Sequence, residues 1–129
     1  MEPRRPINSF RDLLAWQSSK RLAILVYHEC RTVPRVELFT TVAQLRRSSE
    51  PVPNNIAEGY GMGTRPGFLR HLRIARGSLC ELDTQREIAI ELGLLRPLEE
   101  TAPAVAETGS LLQGLINSLQ RSTHSGPGA

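Results

Sequence analysis

Apolar residues recur at alternating intervals of four and three positions from Phe68 to Ala89, and again from Leu98 to Leu119. This average spacing of about 3.5 residues is typical of a helix that buries one narrow stripe against other helices at a shallow angle. The two stripes therefore predict an α-helical bundle. The first contains Phe68, Leu72, Ala75, Leu79, Leu82, Arg86 and Ala89, and only its arginine is charged. The second contains Leu98, Ala102, Val105, Gly109, Leu112, Ile116 and Leu119.

Capping signals set the bounds of three predicted helices. Ser9, followed by Asp12, predicts the start of a first helix that runs to about Arg31. Gly93 is placed to end the third helix, because glycine readily adopts the left-handed conformation that follows many helix C-termini. The fourth helix is predicted to begin near Pro97. These bounds leave room for one more helix between the first and the third.

Two prolines disturb that second helix. It starts near Glu37 and reaches Pro51 and Pro53, each of which lacks an amide donor and crowds the preceding turn. We expect the helix to kink or break there. Asn55 is the expected N-cap of the fresh turn that follows, with Glu58 reaching back to it.

The predicted fold is all-α, an antiparallel up-down-up-down four-helix bundle whose second helix is kinked at these prolines. The glycine-rich stretch 59–67 joins the second and third helices. A single four-helix-bundle domain spans residues 1–129, and residues 1–8 and 122–129 are expected to be disordered tails.

Composition limits the cellular setting and the class of partner. No apolar run is long enough to span a membrane, and the N-terminus lacks the pattern of a signal peptide. Cys30 and Cys80 are expected to be reduced and packed, which predicts a cytoplasmic protein. The net charge is +3, and every cation except Lys20 is an arginine, a residue suited to carboxylate or phosphate. A charge this small permits a nucleic-acid partner without requiring one.

The third helix carries its charges against its own dipole. Arginines occupy its N-terminal half and carboxylates its C-terminal half, the reverse of what the helix macrodipole favours. A chain that folds back about Thr64 would bring Glu58 level with Arg70 and Arg47 level with Glu81. We predict that Glu58–Arg70 and Arg47–Glu81 are structural ion pairs between the second and third helices.

Residues suited to catalysis or metal binding do not form a recognisable constellation. His28, His71 and His124 are scattered along the chain, without metal-ligand spacing. Glu58 lies beside Tyr60, but no nucleophile or orienting group accompanies them. The glycine-rich joint lacks the strand before it and the Gly-Lys-Ser/Thr after it that a phosphate loop needs. We therefore predict no catalytic residue, no metal ligand and no cofactor.

The arginines are the best candidates for a binding surface. Arg46 and Arg47 on the second helix, and Arg70, Arg73 and Arg76 on the third, are the candidate nucleic-acid-binding residues. They would contact phosphates, because aromatic residues make up only 5% of the chain and base stacking cannot be the main mode of recognition. The alternative is that these cations face solvent or pair with another subunit.

Five segments carry marked motifs: DLLAWQ at 12–17, QLRR at 44–47, NIAEGYG at 55–61, FLRHLRIARGSLCELDTQ at 68–85 and LGLL at 92–95. Together they resemble the four-helix-bundle proteins of the 23S rRNA intervening-sequence family. The resemblance implies a cytoplasmic bundle that assembles as a homopentamer, with no established activity in most members. A distant relative, the accessory protein of diversity-generating retroelements, is a basic pentameric barrel that binds nucleic acid and a reverse transcriptase.

The sequence thus predicts a non-enzymatic, self-assembling bundle, a homopentamer by resemblance, whose basic surface binds RNA or DNA without reading bases. The expected partners are further copies of the chain, RNA or DNA, and, by distant analogy, a reverse transcriptase or another protein. No membrane partner is expected. The alternative is a protein-interaction scaffold that binds no nucleic acid because its arginines are all used in subunit pairs. An enzyme is the third and remotest interpretation.

Overall fold

The computed structural model describes residues 6–124, and these residues are helical or lie in short connections. A short 3-10 turn, Phe10–Asp12, precedes the first helix, and a 3-10 turn followed by a π-helical turn, Arg35–Glu37 and Leu38–Val42, precedes the second. The helices are α1 Leu14–Cys30, α2 Ala43–Ser49, α3 Pro51–Gly61, α4 Arg65–Glu91 and α5 Thr101–His124. Because α2 and α3 are two pieces of one predicted helix, the all-α four-helix bundle is confirmed.

The first and last helices differ at their ends from the predicted ones. The capping box at Ser9 is present, with its hydroxyl accepting from Arg11 N and its own N–H donating to Asp12 Oδ2. This box caps the 3-10 turn, so α1 itself starts only at Leu14. At the other end α5 continues to His124, within the stretch expected to be a tail. Residues 1–5 and 125–129 of the predicted tails lie outside the described residues.

The break in the second helix falls where the prolines predict it. α2 ends at Ser49 and α3 begins with Pro51, at a first-turn position where a missing N–H costs nothing. The expected Asn55 cap is wrong. Asn55 lies inside α3, and its side-chain amide donates to Pro51 O at 2.9 Å. Glu50 keeps helical backbone angles and accepts from Asn54 N at 3.2 Å, so the chain passes the break without needing a new cap.

The joint between α3 and α4 is tighter than the predicted stretch 59–67. It consists of residues 62–64, where Gly63 adopts a φ of +74° and the Thr64 hydroxyl caps α4 by accepting from Gly67 N at 3.2 Å. Gly59 lies within α3 at the contact with α4. A Cβ placed on Gly59 would lie 2.7 Å from the Cβ of His71, so the absence of a side chain allows this close packing.

The stripe on α4 is confirmed along almost its whole length. Six of its seven members are buried, including Arg86, and Phe68 is half-buried. Gly93 ends α4 with a φ of +73°, and Leu94 N donates back to Ala89 O at 2.9 Å, as in a Schellman motif.

The stripe on α5 is partly wrong, because Ala102 is exposed whereas Thr101, Ala104 and Thr108 are buried. The cause is the preceding connection. Leu98 N donates to the side chain of Glu29, which holds this segment in a non-helical path and delays the start of α5 to Thr101.

Each helix packs against the one that follows it in the chain, and α5 also packs against α1. Ser48 contacts Gln85 and Asn55 contacts His71, so the α2–α3 pair and α4 run in opposite directions. α1 and α4 pack against the same neighbours and lie diagonally across the core. The largest fully buried apolar side chains, from all the helices, are Leu22, Leu45, Ile56, Leu72, Leu82, Leu112 and Ile116.

Candidate nucleic-acid interface

One buried ion pair crosses the core between α1 and α4. Arg86 Nε donates to Glu29 Oε1 at 2.8 Å, and Nη2 donates to Oε2 at 2.7 Å. The Glu29 side chain is 0% exposed and that of Arg86 is 4% exposed. Leu98 N adds a third hydrogen bond to Oε2 at 2.9 Å. The pair therefore has a structural role, and it explains why an arginine interrupts the apolar stripe of α4.

The two predicted ion pairs are not among those that the described side chains form within 4.0 Å. Glu58 lies 3.7 Å from His71 Nδ1, and Glu81 accepts from Gln85 Nε2 at 3.3 Å. The physical reason is helical phase. His71 faces α3, so Arg70, one position earlier and about 100° round the helix, points to solvent.

The five candidate arginines do not form one patch. Because Ser48 contacts Gln85, Arg47 lies level with about residue 86 of α4. That level is about thirteen residues from Arg73, or about 20 Å along the helix. Arg70 and Arg73 are exposed, whereas Arg76 is half-buried and donates to Gln113 Oε1 at 2.8 Å. Arg76 therefore serves the contact between α4 and α5.

A larger group of cations covers the side of the bundle formed by α1, α2 and the link between them. We call this group the α1–α2 basic face. None of its members makes an ion pair within 4.0 Å among the side chains that the structure describes. The guanidinium of Arg46 lies 4.7 Å from the centre of the Tyr27 ring, and Lys20 Nζ lies 5.3 Å from that of Trp16. The face consists of the exposed residues Lys20, Arg21, Arg31, Arg35, Arg46 and Arg47.

Sequence reasoning identified Arg46 and Arg47 as binding candidates and missed Arg31 and Arg35. A signal was present for Arg31, because the solvent side of α1 repeats with the same rhythm as the buried stripes. Its exposed members are Leu14, Gln17, Arg21, Ile24, His28 and Arg31. No comparable signal exists for Arg35, which lies in the 3-10 turn after α1.

Two grooves flank the outer ridge of α1, which is formed by Lys20, Ile24 and His28. One, of about 550 Å³, is bounded on its far side by Leu98 and Glu100. The other, of about 520 Å³, is bounded by residues 50–54 of α3 and the turn before it. A ridge between grooves is the surface shape that accepts another helix, so this part of α1 could also hold a protein partner.

The described side chains do not assemble a recognisable metal-binding site. Among the described residues there is no group of three or more His, Cys, Asp or Glu side chains able to hold a metal ion. His28 is exposed whereas Cys30 is buried, so the two do not share a surface. Burial raises the pKa of the Cys30 thiol above its ordinary value of 9.0, which keeps it protonated and unreactive at neutral pH. No described helix has the length and apolar character needed to cross a membrane.

Comparison with known protein families gives a match over most of the chain. The sequence model of the 23S rRNA-intervening sequence protein family matches residues 11–122, from the turn before α1 to near the end of α5. Among curated proteins, none matches significantly.

Proposed function

Since the chain belongs to the 23S rRNA-intervening sequence protein family, we propose that it is a non-enzymatic, self-assembling bundle that binds the phosphate backbone of RNA or DNA. The α1–α2 basic face is the observation that carries this proposal. Its six cations are exposed and not neutralised by carboxylates within 4.0 Å among the described side chains. Such a surface attracts phosphates and releases their counterions.

The proposed binding is independent of base sequence. The aromatic rings on this face, Trp16 and Tyr27, are half-buried and covered by Lys20 and Arg46, so they are not free to stack on bases. Recognition then rests on charge, and a homopentamer with the sequence charge of +3 per chain would carry about fifteen positive charges. Arg70 and Arg73, exposed on α4, form a second and separate candidate surface.

The solvent side of α4 supports self-assembly. Ile74 and Ile88 are 43% and 52% exposed, and the small residues Gly77 and Thr84 lie between them at helix-packing intervals. The same exposed side carries arginines near its N-terminal end and carboxylates near its C-terminal end, which favours contact with a surface of complementary charge. This side lies across the core from α1, so assembly through α4 would leave the α1–α2 basic face accessible.

A salt titration tests the binding. A fluorescent structured RNA is titrated with the protein from about 50 to 200 mM salt, and light scattering gives the oligomer mass on the same sample. An oligomer that contacts six to ten phosphates should lose about 10³-fold or more in affinity over this range. No binding at the lowest salt by an intact oligomer would contradict the proposal.

Two matched double variants locate the surface, since each removes two exposed arginines from one chain. Arg21→Ala with Arg47→Ala changes the α1–α2 basic face, and Arg70→Ala with Arg73→Ala changes α4. We expect the α1–α2 variant to reduce the magnitude of the slope of log affinity against log salt by about 1.8 for each chain that contacts the RNA, since each lost phosphate contact accounts for about 0.9. The α4 variant should leave the slope unchanged. The reverse result would move the site to α4.

Assembly has its own test. Ile88→Asp places a charge in the exposed stripe of α4 and should reduce the oligomer to smaller species in light scattering. Met62→Asp is the control, because Met62 is similarly exposed but lies in the joint before α4. Equal masses for both variants would remove α4 from the interface.

The second candidate function is a protein-interaction scaffold, favoured by the two grooves beside the α1 ridge. An intact oligomer that binds no RNA would support it, and the distant analogy with retroelement accessory proteins then makes a reverse transcriptase the first partner to try.

Two free thiols, Cys30 and Cys80, suit a reducing compartment, so we propose that either function operates in the cytoplasm.

A further inference from the structure

A cavity of about 310 Å³ lies between the end of α1, the link that follows it and α2. Three arginines line it, Arg31, Arg35 and Arg46, together with Tyr27. Its volume is at the lower end of the range seen for small-molecule sites. The remaining walls are largely apolar and consist of Cys30, Val33, Pro34, Leu38 and Val42.

The cations of this cavity are not held in ion pairs within the described part of the chain. None of its three arginines makes an ion pair within 4.0 Å among the described side chains. The nearby carboxylates have other contacts: Glu29 is held by Arg86, and Glu37 accepts from the Thr41 hydroxyl at 2.6 Å. Glu50, the third, faces the Tyr27 hydroxyl and does not line the cavity. Like charges around one cavity repel, and a bound anion would remove that repulsion.

We propose that this cavity binds a phosphate monoester carried on a small apolar group. Guanidinium groups match phosphate oxygens through paired hydrogen bonds, and three of them suit the dianion of a monoester better than the single charge of a backbone diester. The apolar walls would hold the group that carries the phosphate. The proposal does not depend on binding to the nucleic-acid backbone.

Tyr27 lies on the edge of the cavity and is neutral. Burial raises the pKa of its hydroxyl above 10.0, and the neighbouring Glu50 carboxylate acts in the same direction. The hydroxyl therefore keeps its proton at neutral pH and adds no negative charge to the edge of the cavity. Cys30 is likewise neutral, so no negative charge on the cavity wall opposes an anion.

Calorimetric titration with phenyl phosphate tests the proposal, because this probe joins a monoester to an apolar ring. We expect a dissociation constant below about 1 mM for the wild-type protein. Arg31→Ala and Arg35→Ala should each weaken binding by about tenfold or more. Both side chains are exposed, so circular dichroism should show an unchanged fold. Arg11→Ala is the matched control, since Arg11 is also an exposed arginine but does not line the cavity.

Absence of binding by folded wild-type protein at about 10 mM probe, or equal affinities for the three variants, would overturn the proposal. A competition then identifies the source of the phosphate. Displacement of phenyl phosphate by a 5′-phosphorylated oligonucleotide, and not by its 5′-hydroxyl counterpart, would identify a strand end as the ligand. Failure of both to displace it would leave a free small molecule. Equal displacement by both would mean that the cavity only contacts backbone diesters, which contradicts a monoester site.

Discussion

Among the described side chains, two contacts between a carboxylate and a basic group differ in almost every respect. Near one end, Glu29 and Arg86 are buried and joined by two short hydrogen bonds. About fifteen residues away along α4, Glu58 approaches His71 at 3.7 Å with its side chain 68% exposed. The value of an ion pair depends on its surroundings: burial makes a broken pair expensive, whereas solvent makes an intact one nearly neutral.

The charges that stand out in the sequence are therefore not the ones that hold the fold together. Glu58, Arg70, Arg47 and Glu81 are conspicuous, yet all four are exposed. Arg86 is a single charge within an apolar stripe, and it is the one that cannot be removed without leaving a buried carboxylate. The comparison can be tested at both ends of the bundle.

The largest effect is expected at the buried pair. Arg86→Ala should lower the free energy of unfolding by about 3–5 kcal/mol, because it leaves the Glu29 carboxylate buried without its partner. Urea denaturation measures the loss. The double variant Glu29→Leu with Arg86→Met removes both charges and should recover much of the stability. A small loss for Arg86→Ala alone would contradict a structural role for the pair.

A smaller effect is expected where α3 meets α4 beside Glu58. Gly59→Ala should destabilise the protein by about 1–2 kcal/mol. Its Cβ would lie 2.7 Å from the Cβ of His71, so the backbone of α3 or α4 would have to shift. Gly114→Ala is the control. Gly114 is also helical but has open space around it, so alanine should stabilise α5 by up to about 1 kcal/mol. Thermal unfolding of the two variants should move in opposite directions.

The buried end should also respond to alkaline pH. The pKa values of Cys30 and Tyr27 are raised in the folded protein, both chiefly by burial, so the folded state binds these protons more tightly than the unfolded state. Stability is then fully present below pH 9 and falls as the pH rises through the folded-state values. Unfolding free energies at pH 8 and 10.5 measure this modest fall. Cys30→Ala should flatten the pH dependence, whereas Cys80→Ala, at an exposed thiol, should not.

The smallest effect is expected at the exposed pair. Glu58→Ala should change the free energy of unfolding by no more than about 0.5 kcal/mol, because solvent screens the charge and His71 keeps its 3.0 Å contact with Asn55. Chemical denaturation with Glu58→Gln as a second variant tests this expectation. A loss comparable with that of Arg86→Ala would erase the distinction between the two contacts.

Much of the fold could be predicted because helix periodicity is a local property of the chain. The α4 stripe, the proline break and the Gly93 terminus all follow from spacing and residue type. The same reasoning could have found the partner of Arg86. On α1 the buried residues Ala15, Ser19, Leu22, Val26 and Glu29 repeat at intervals of four and three, and the last of them is charged. An acidic residue in one buried stripe and a basic residue in another predict a buried ion pair, here between Glu29 and Arg86.

The candidate site was harder to predict, because it depends on how helices are aligned rather than on any one helix. Arg46 and Arg47 lie on the α1–α2 basic face, but Arg76 is engaged with Gln113, and Arg70 and Arg73 lie elsewhere. The predicted alignment of the second and third helices was wrong by one residue beside Glu58, where the neighbour is His71 and not Arg70. The cavity around Arg35 is formed partly by the 3-10 and π-helical turns after α1. No pattern in the sequence predicted these turns.

The hydrogen bond from Leu98 N to Glu29 has a consequence for how the molecule opens. It joins the connection before α5 to a carboxylate that also accepts from α4. Three segments that are far apart in the chain, α1, α4 and this connection, therefore meet at the buried Glu29 carboxylate. This amide cannot exchange with solvent by local fraying of α5 alone, since its acceptor stays buried until α1 and α4 separate. We therefore expect Leu98 to exchange its amide hydrogen more slowly than its exposed neighbours in this connection.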